Sequence, residues 1–203
     1  MYARVASFEG RDPGLTDELI ERVRERGPSS LPDAEGFLGL FDRDRGTALG
    51  ITFFDSEETI RDSEQAFEEM AQHFPTEMRG SRTSVGTYEV TIQEGSGEGA
   101  SAARVSSLEG SPDRIDESVS KAREETLPKL RELQGWKGII GLADRNSGRV
   151  KLITLWENTE ALQATEQPAD RLREQAAESG GQRITGVDRY EVAVAQRLSE
   201  VRV

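Results

Sequence analysis

Each half of the chain shows the same succession of hydrophobic patterns: a strand, a helix, two strands, a second helix and a last strand. Apolar residues at helical spacing follow Asp12-Pro13 and Ser111-Pro112, and a second helix is predicted to begin at Ser56 and at Asn158. Alternating or β-branched runs predict the strands, at about 2–8, 38–41, 48–54 and 82–93 and again at about 102–108, 139–143, 150–156 and 184–196.

The repetition extends to residue identities. Residues 36–65 match residues 138–167 at 11 of 30 positions, and the segments GFLGLFDRDRG (36–46) and GIIGLADRNSG (138–148) both read as a strand end followed by a hairpin turn. ARVASFEG (3–10) matches ARVSSLEG (103–110) at six of eight positions. The sequence therefore predicts a duplicated domain of about 100 residues.

The predicted order βαββαβ is the ferredoxin-like, split βαβ arrangement, an α+β fold with both helices on one face of an antiparallel sheet. We expect copy 1 at 1–93, a short flexible linker at 94–100 (EGSGEGA), copy 2 at 101–197 and a tail at 198–203. The bare sheet faces then predict sheet-to-sheet packing into a fused dimeric α+β barrel, so the chain is expected to be a monomer.

One residue interrupts the helical pattern. Pro168 lies inside the second helix of copy 2 and is expected to kink or divide it.

Composition narrows the class of protein. No stretch has the length and apolarity of a membrane span, and MYARVASFEG does not have the pattern of a signal peptide, so a cytoplasmic protein is expected. The absence of cysteine excludes disulfides and thiolate chemistry. A net charge of −12 argues against a nucleic-acid partner. No nucleotide-binding loop, HExxH or EF-hand pattern occurs.

The run GWKGIIGLADRNSGRVKLITLWENTEAL, with GVDRYEV after the second helix, resembles the antibiotic biosynthesis monooxygenase (ABM) domain family. The resemblance covers nearly all of each copy and implies the dimeric α+β barrel fold. That family contains cofactor-free oxygenases of aromatic polyketides, heme-degrading enzymes and many members without an established activity.

The resemblance implies residue positions for the heme-degrading branch, which uses an Asn on the first strand and a Trp and a His on the second helix. Those positions fall at Ser7 or Ser107, at Ser63 or Thr165, and at His73 or Gln175. Only the histidine is present, in one copy, so heme is disfavoured and no cofactor is expected.

His73 is the only histidine, and the only side chain whose unperturbed pKa lies near neutrality. As a catalytic candidate it would act as a general base or an axial ligand. The competing interpretation is a partly exposed histidine near a helix C-terminus.

Aromatic and cationic residues supply the other candidates. Trp156 and Trp136 could line a pocket for a planar ligand, although packing of Trp156 in the core is the stronger interpretation. Tyr88 and Tyr190, in the repeated YEV, could orient a phenolic substrate or pack at a strand edge.

Arg4 and Arg104 occupy equivalent positions on the first strand of each copy. They could bind an anionic ligand or pair with Glu89 and Glu191.

Two functions are open at this point. The resemblance implies a cofactor-independent monooxygenase that oxidises a small aromatic or polyketide-like substrate with O₂ in a mostly apolar pocket, without a metal. The alternative is a non-catalytic protein, ligand-binding or stress-related, that retains the barrel. The two copies differ at His73/Gln175 and Phe54/Trp156, so at most one pocket is expected to be active.

Overall fold

The computed structural model describes residues 1–31 and 33–196, with the backbone alone for 26–30. The predicted tail at 198–203 lies outside the described residues. The described chain contains eight strands, which are β1 (Tyr2–Glu9), β2 (Gly36–Asp42), β3 (Thr47–Phe54), β4 (Ser81–Glu94), β5 (Ala102–Gly110), β6 (Trp136–Asp144), β7 (Arg149–Trp156) and β8 (Gln182–Gln196).

Eight α-helices connect them, and short 3₁₀ turns precede α1 and α5 at Pro13–Leu15 and Pro112–Arg114. A π-helical turn at Ala122–Thr126 joins α5 to α6. The helices are α1 (Thr16–Ser30), α2 (Glu57–Asp62), α3 (Glu64–Gln72), α4 (Thr76–Arg79), α5 (Ile115–Lys121), α6 (Leu127–Arg131), α7 (Thr159–Ala164) and α8 (Glu166–Gly180).

The strands are hydrogen-bonded neighbours in the order β1-β3-β2-β8-β5-β7-β6-β4, which is closed as a barrel. The pairs β1–β3, β2–β3, β5–β7 and β6–β7 are antiparallel. The predicted α+β class is therefore confirmed. The finer expectation, two ferredoxin-like domains packed sheet-to-sheet as a fused dimer, stays a prediction.

The described residues divide into two compact units. Unit 1 contains Met1–Thr87 and the last residues of β8, from Val192, and unit 2 contains Tyr88–Glu191. The boundaries fall inside β4 and β8, the two longest strands. Within unit 2, residues 95–100 pack against β6, where Gly97 N donates to Lys137 O at 3.3 Å. The predicted domain boundaries stay a prediction.

The two units pair their strands in the same register. Ala6 is opposite Gly50 in unit 1, and Ser106 is opposite Leu152 in unit 2. The repeated GLFDRDRG and GLADRNSG segments form β-hairpins, and the turn glycines Gly46 and Gly148 have φ values of 63° and 75°, which favour glycine. Positions counted from these hairpins can therefore be compared between units.

The helix starts follow the predicted capping chemistry. Ser56 Oγ accepts from Thr59 N at 3.1 Å, and Asn158 Oδ1 accepts from Ala161 N at 2.8 Å. The second helix of unit 2 is divided, which is one of the two outcomes expected of Pro168. The break lies earlier, at Thr165, and Pro168 is the third residue of α8, where a missing N–H costs little.

Successive side chains of each strand point to opposite faces, so the two faces of a strand contact different parts of the protein. On β1 and β2 of unit 1, Ala3, Val5, Leu38 and Leu40 are buried on one face. The opposite face carries Arg4, Ala6 and Phe8 on β1 and Phe37 and Gly39 on β2, and all of these line a cavity.

Candidate functional site

Unit 1 encloses a cavity of about 540 Å³ between its strands and its helices. Its walls are mostly apolar, with aromatic rings from the strands and from α3 and aliphatic side chains from α1. This volume and lining are typical of a small-molecule site. The aromatic rings that line it belong to Phe8, Phe37, Phe41, Phe67 and Phe74.

A glycine on β3 leaves part of this space open. A Cβ at Gly50 would lie 3.9 Å from the nearest ring atoms, those of Phe8 and Phe37, which is an ordinary van der Waals contact. A side chain longer than one methyl would therefore extend into the cavity rather than clash with the backbone. Gly50 itself lines the cavity.

Unit 2 has only a small cavity at the corresponding place, of about 50 Å³. Two lining residues explain the difference. Leu152 stands where unit 1 has Gly50, and Arg173 stands where the alignment of second helices places Ala71. Arg173 forms an ion pair with Asp170, and its Nη1 donates to Ser106 Oγ at 3.5 Å. Unit 2 therefore fills its own cavity.

The charged groups on the unit 1 cavity are mainly cationic. Among the described residues, Arg4, Arg11, Arg79 and Arg82 line it, with Glu68 as the one carboxylate. Arg79 is the last residue of α4 and Arg82 lies near the start of β4, while Glu68 is exposed on α3. The cavity is thus a positively charged environment in a chain whose net charge is −12.

Arg11 follows β1 and is only 4% exposed. Its Nη2 donates to Thr16 Oγ1 at 2.9 Å, and its guanidinium carbon lies 4.3 Å from the centroid of the Phe41 ring. Its Nε is buried without a hydrogen-bond partner. Burial, with a smaller contribution from Arg43, lowers the pKa of Arg11 from its ordinary value.

Arg4 has a carboxylate partner. Its Nε donates to Glu64 Oε1 at 2.7 Å and its Nη2 donates to Glu64 Oε2 at 3.1 Å, a bidentate pair. The guanidinium carbon also lies 3.9 Å from the centroid of the Phe67 ring. The hydrogen bond from Arg4 lowers the pKa of Glu64, although burial acts in the opposite direction.

Arg104 repeats this arrangement in unit 2. Its Nη2 donates to Glu166 Oε2 at 2.9 Å and to Leu162 O at 2.8 Å. Sequence reasoning offered Glu89 and Glu191 as partners, but Arg4 and Arg104 form their ion pairs with the helix carboxylates Glu64 and Glu166, and Glu89 pairs with Arg145. Ligand binding by Arg4 and Arg104 stays a prediction.

His73 lies apart from the cavity lining. It is the exposed C-cap residue of α3, where its backbone N donates to Met70 O at 3.1 Å. The neighbouring residues Gln72 and Phe74 line the cavity, but His73 does not. A catalytic role for His73 stays a prediction.

The two tryptophans lie together in the packing of unit 2. Trp156 is fully buried, and its Nε1 donates to Thr154 Oγ1 at 3.0 Å. Trp136 is half-buried beside it, in a cluster that includes Ala102 and Leu162, and its Nε1 is buried without a partner. Neither residue lines the cavity of unit 1 or that of unit 2.

The two tyrosines also lie outside both cavity linings. Tyr88 is buried at the start of unit 2, and burial raises the pKa of its hydroxyl while Arg149 opposes this. Tyr190 is half-buried on β8 and pairs with Ala103 of β5. Ligand contacts by the tryptophans and tyrosines stay predictions.

Sequence reasoning missed the two residues that distinguish the unit 1 cavity. The aligned repeat contains a signal for Gly50, because a glycine in one copy faces a leucine in the other. It contains none for Arg11, which resembles an exposed loop arginine.

The described residues contain neither a candidate membrane-spanning helix nor a cluster of metal-ligating side chains. No helix in the described part of the chain combines the length and apolarity that a bilayer crossing requires. Within the described residues, no group of three His, Asp or Glu side chains is arranged to hold a metal ion.

Sequence comparison finds partial relatives. No family model matches the chain. An uncharacterized protein of Mycobacterium tuberculosis (strain H37Rv) is 30% identical over 95 residues, which is 47% of this chain and 42% of that protein. A second from the same strain is 33% identical over 75 residues, covering 37% of this chain and 32% of that protein. The match spans less than half the length of these relatives.

Solved structures show the fold. An anthrone oxidase-like protein superposes with a TM-score of 0.65 at 16% identity, covering 97% of this chain and 93% of that one. A ferredoxin-fold protein from Listeria monocytogenes, described as related to antibiotic biosynthesis monooxygenases, gives 0.54 at 11% identity, covering 94% of each chain. The resemblance to the ABM fold is therefore confirmed.

The expectation that a protein of this kind uses no cofactor is wrong. A heme-degrading enzyme from Listeria monocytogenes has the same fold, with a TM-score of 0.53 at 12% identity, covering 93% of this chain and 99% of that one. The sequence argument against heme rested on the Asn, Trp and His of the family's heme-degrading branch, of which only His73 is present.

Proposed function

We propose that the chain is an ABM-type oxygenase that oxidises a small aromatic substrate in the cavity of unit 1. The observation that carries the proposal is the cavity itself, about 540 Å³ in unit 1 against about 50 Å³ in unit 2. The chain is similar in fold to an anthrone oxidase-like protein, and this similarity supports an aromatic substrate. The divergence of the two units supports a single working site per chain.

The cavity residues can assist such chemistry in two ways. The apolar walls exclude water, which strengthens electrostatic interactions inside the cavity. The arginine cations stabilise negative charge that develops on a substrate oxygen when a neighbouring carbon loses its proton. Glu68, an exposed carboxylate of the lining, would accept that proton.

Heme fits the same lining. Its flat ring is largely apolar and its edge carries two carboxylates, which match the phenylalanine walls and the arginines Arg11 and Arg79. Met70 also lines the cavity, and a methionine thioether is one of the protein groups that bind heme iron. Met70 would therefore hold the iron and the arginines the carboxylates. Bound heme would supply the activation of O₂.

Oxygen uptake tests the proposal. Purified chain is mixed with a panel of anthrones and hydroquinones, with and without added hemin, and O₂ consumption is compared with that of Gly50→Leu. We expect uptake with at least one substrate and its loss in Gly50→Leu, because the leucine fills the cavity. Gly186→Ala, at a strand glycine of unit 2 where a Cβ would make an ordinary contact of 3.9 Å with Asp188 Oδ2, is the control.

Two results contradict an oxygenase in this cavity. One is the absence of uptake on every substrate under both conditions. The other is uptake that Gly50→Leu leaves unchanged.

A second candidate function is binding without turnover. It is favoured by the position of His73, the only histidine of the chain, which is exposed and outside the lining. Within the part of the chain that the structure describes, Glu68 is then the only carboxylate on the cavity wall. Ligand binding that Gly50→Leu abolishes, together with no oxygen uptake, would identify this function.

A further inference from the structure

Arg11 is a buried cation that lacks a carboxylate partner. Its protein contacts are hydrogen bonds to two neutral oxygens, Thr16 Oγ1 at 2.9 Å and Thr47 O at 3.4 Å, and the face of the Phe41 ring. Among the described residues, no Asp or Glu forms an ion pair with it, and its Nε has no partner at all. A buried charge is ordinarily paired, because removing it from water is costly.

The chain holds this cation at the cavity. The backbone N of Arg11 donates to Gly46 O at 3.3 Å, which fixes it against the β2–β3 turn. Gly80, with φ of 71°, packs against the side chain, since a Cβ there would lie 2.6 Å from Cγ of Arg11. Arg11 and Phe41 both line the cavity, so the guanidinium is supported on its ring face and next to the ligand space.

Within the described chain, Arg11 differs from the other buried arginines in lacking a carboxylate and not in having an unpartnered nitrogen, because Nε and Nη1 of Arg104 are also without a partner. Arg4 and Arg104 each contact a glutamate, Glu64 and Glu166. In unit 2 the residue that donates to the turn glycine Gly148 is Gly110, at 3.0 Å, so the place of Arg11 is taken by a residue without a side chain. The unpaired cation therefore occurs in the unit with the large cavity.

We propose that the ligand of the unit 1 cavity is an apolar organic anion, and that Arg11 binds its carboxylate, sulfonate or phenolate oxygen. The inference rests on the cavity being the functional site, as proposed above, and adds the chemical class of the ligand. Nη1 and Nη2 of Arg11 each have one N–H beyond those donated to Thr47 O and Thr16 Oγ1, and an anionic oxygen would accept a charge-assisted hydrogen bond from such a group. The phenylalanine walls bury the apolar body of the ligand.

The net charge of the chain is negative, so it cannot cause a preference for anionic ligands. A net charge of −12 repels small anions in general. A preference for the anionic form of a ligand must therefore arise from local cations, and Arg11 is the buried one that no carboxylate neutralises.

A pair of fluorescent probes with the same aromatic body tests the proposal. 1-Anilinonaphthalene-8-sulfonate carries a sulfonate, and N-phenyl-1-naphthylamine is its neutral counterpart. We expect Arg11→Met to weaken the affinity for the sulfonate probe about 10-fold or more, and to change the affinity for the neutral probe less than about 2-fold. Arg22→Gln, which removes an exposed arginine of α1, is the control and should change neither.

Wild-type chain provides a second test that needs no variant to fold. Decanoate and decanol have the same alkyl chain, and each is used to displace the neutral probe. We expect decanoate to displace it at a concentration about 10-fold lower. Equal displacement by both compounds would overturn the proposal, as would equal weakening of both probes in a folded Arg11→Met variant.

Hemin is another source of carboxylate groups for the same cation. Displacement of the probe by hemin but not by hemin dimethyl ester would assign the anionic group to heme. Displacement by decanoate and not by hemin would assign it to a substrate. Because none of these measurements requires turnover, anion-selective binding without oxygen uptake would overturn the proposed oxygenase and leave this inference standing.

Discussion

Gly50 and Leu152 stand at the same register position of β3 and β7, opposite Ala6 and Ser106 respectively, and they give the two units different interiors. Where the glycine stands, a cavity of about 540 Å³ is open, and where the leucine stands about 50 Å³ remains. Of the two units, one therefore has space for a ligand and the other is packed.

Gly50→Leu is predicted to abolish binding in unit 1. The new side chain extends into the cavity from a position where a Cβ meets only ordinary contacts, so the fold should tolerate it. The affinity for N-phenyl-1-naphthylamine, followed by fluorescence, is expected to fall at least about 10-fold because the apolar contacts are lost. Gly186→Ala should leave it unchanged. Unchanged affinity in a folded Gly50→Leu variant would place the probe elsewhere.

Glu64→Gln is predicted to reduce stability in a pH-dependent way. The pKa of Glu64 is lowered from its ordinary 4.5 in the folded chain, so its ion pair with Arg4 stabilises the fold above that value. The contribution is lost as the pH falls through the lowered pKa. At pH 7 we expect the free energy of unfolding to fall by about 1–2 kcal/mol, a value reduced by the exposure of Glu64.

The measurement is thermal unfolding of wild type and Glu64→Gln between pH 3 and pH 7. The difference in Tm should be largest above about pH 5 and should shrink toward acid pH. Glu25→Gln, at an exposed position on α1, is the control. A difference in Tm that grows as the pH falls would contradict the assigned role of the pair.

Trp156→Phe is predicted to destabilise unit 2 without changing ligand binding. Trp156 is fully buried, and the substitution removes both packing volume and the hydrogen bond from Nε1 to Thr154. We expect a loss of about 1–3 kcal/mol in the free energy of unfolding by denaturant titration. Probe affinity should stay within about 2-fold of wild type. A selective loss of affinity with unchanged stability would instead support the ligand-binding role predicted from the sequence.

His73→Ala tests the sequence-based hypothesis that His73 is catalytic. The side chain is exposed at the end of α3 and does not line the cavity, so probe affinity and oxygen uptake are expected to remain at wild-type values. Loss of uptake at unchanged probe affinity would show that His73 acts catalytically.

Much of the fold could be predicted from local signals. Alternation and β-branched runs located the strands, and the side chains of Ser56 and Asn158 mark helix starts because they accept backbone N–H groups. The helix that contains Pro168 is divided, and the proline lies in the first turn of the new helix rather than at the break itself. The equivalent break at Ser63 occurs without any proline, so the bend belongs to the fold and not to that residue.

The site was less predictable, for a physical reason. Sequence reasoning favoured rare residues, His73 and the tryptophans, because their chemistry is distinctive. The cavity depends instead on a missing side chain at Gly50 and on an arginine whose partners come from distant segments, at Thr47 and Phe41. The amino-acid sequence shows neither the empty space beside Gly50 nor the absence of a carboxylate beside Arg11. The mismatch of Gly50 with Leu152 was the one signal available.

The most direct test of the unit 1 site is a crystal structure of the chain with 1-anilinonaphthalene-8-sulfonate bound. We expect one probe molecule per chain, enclosed by the phenylalanine walls of the unit 1 cavity, with its sulfonate oxygens within hydrogen-bond distance of Arg11. A probe bound in unit 2, or bound on the surface with the unit 1 cavity empty, would contradict the assignment of the site.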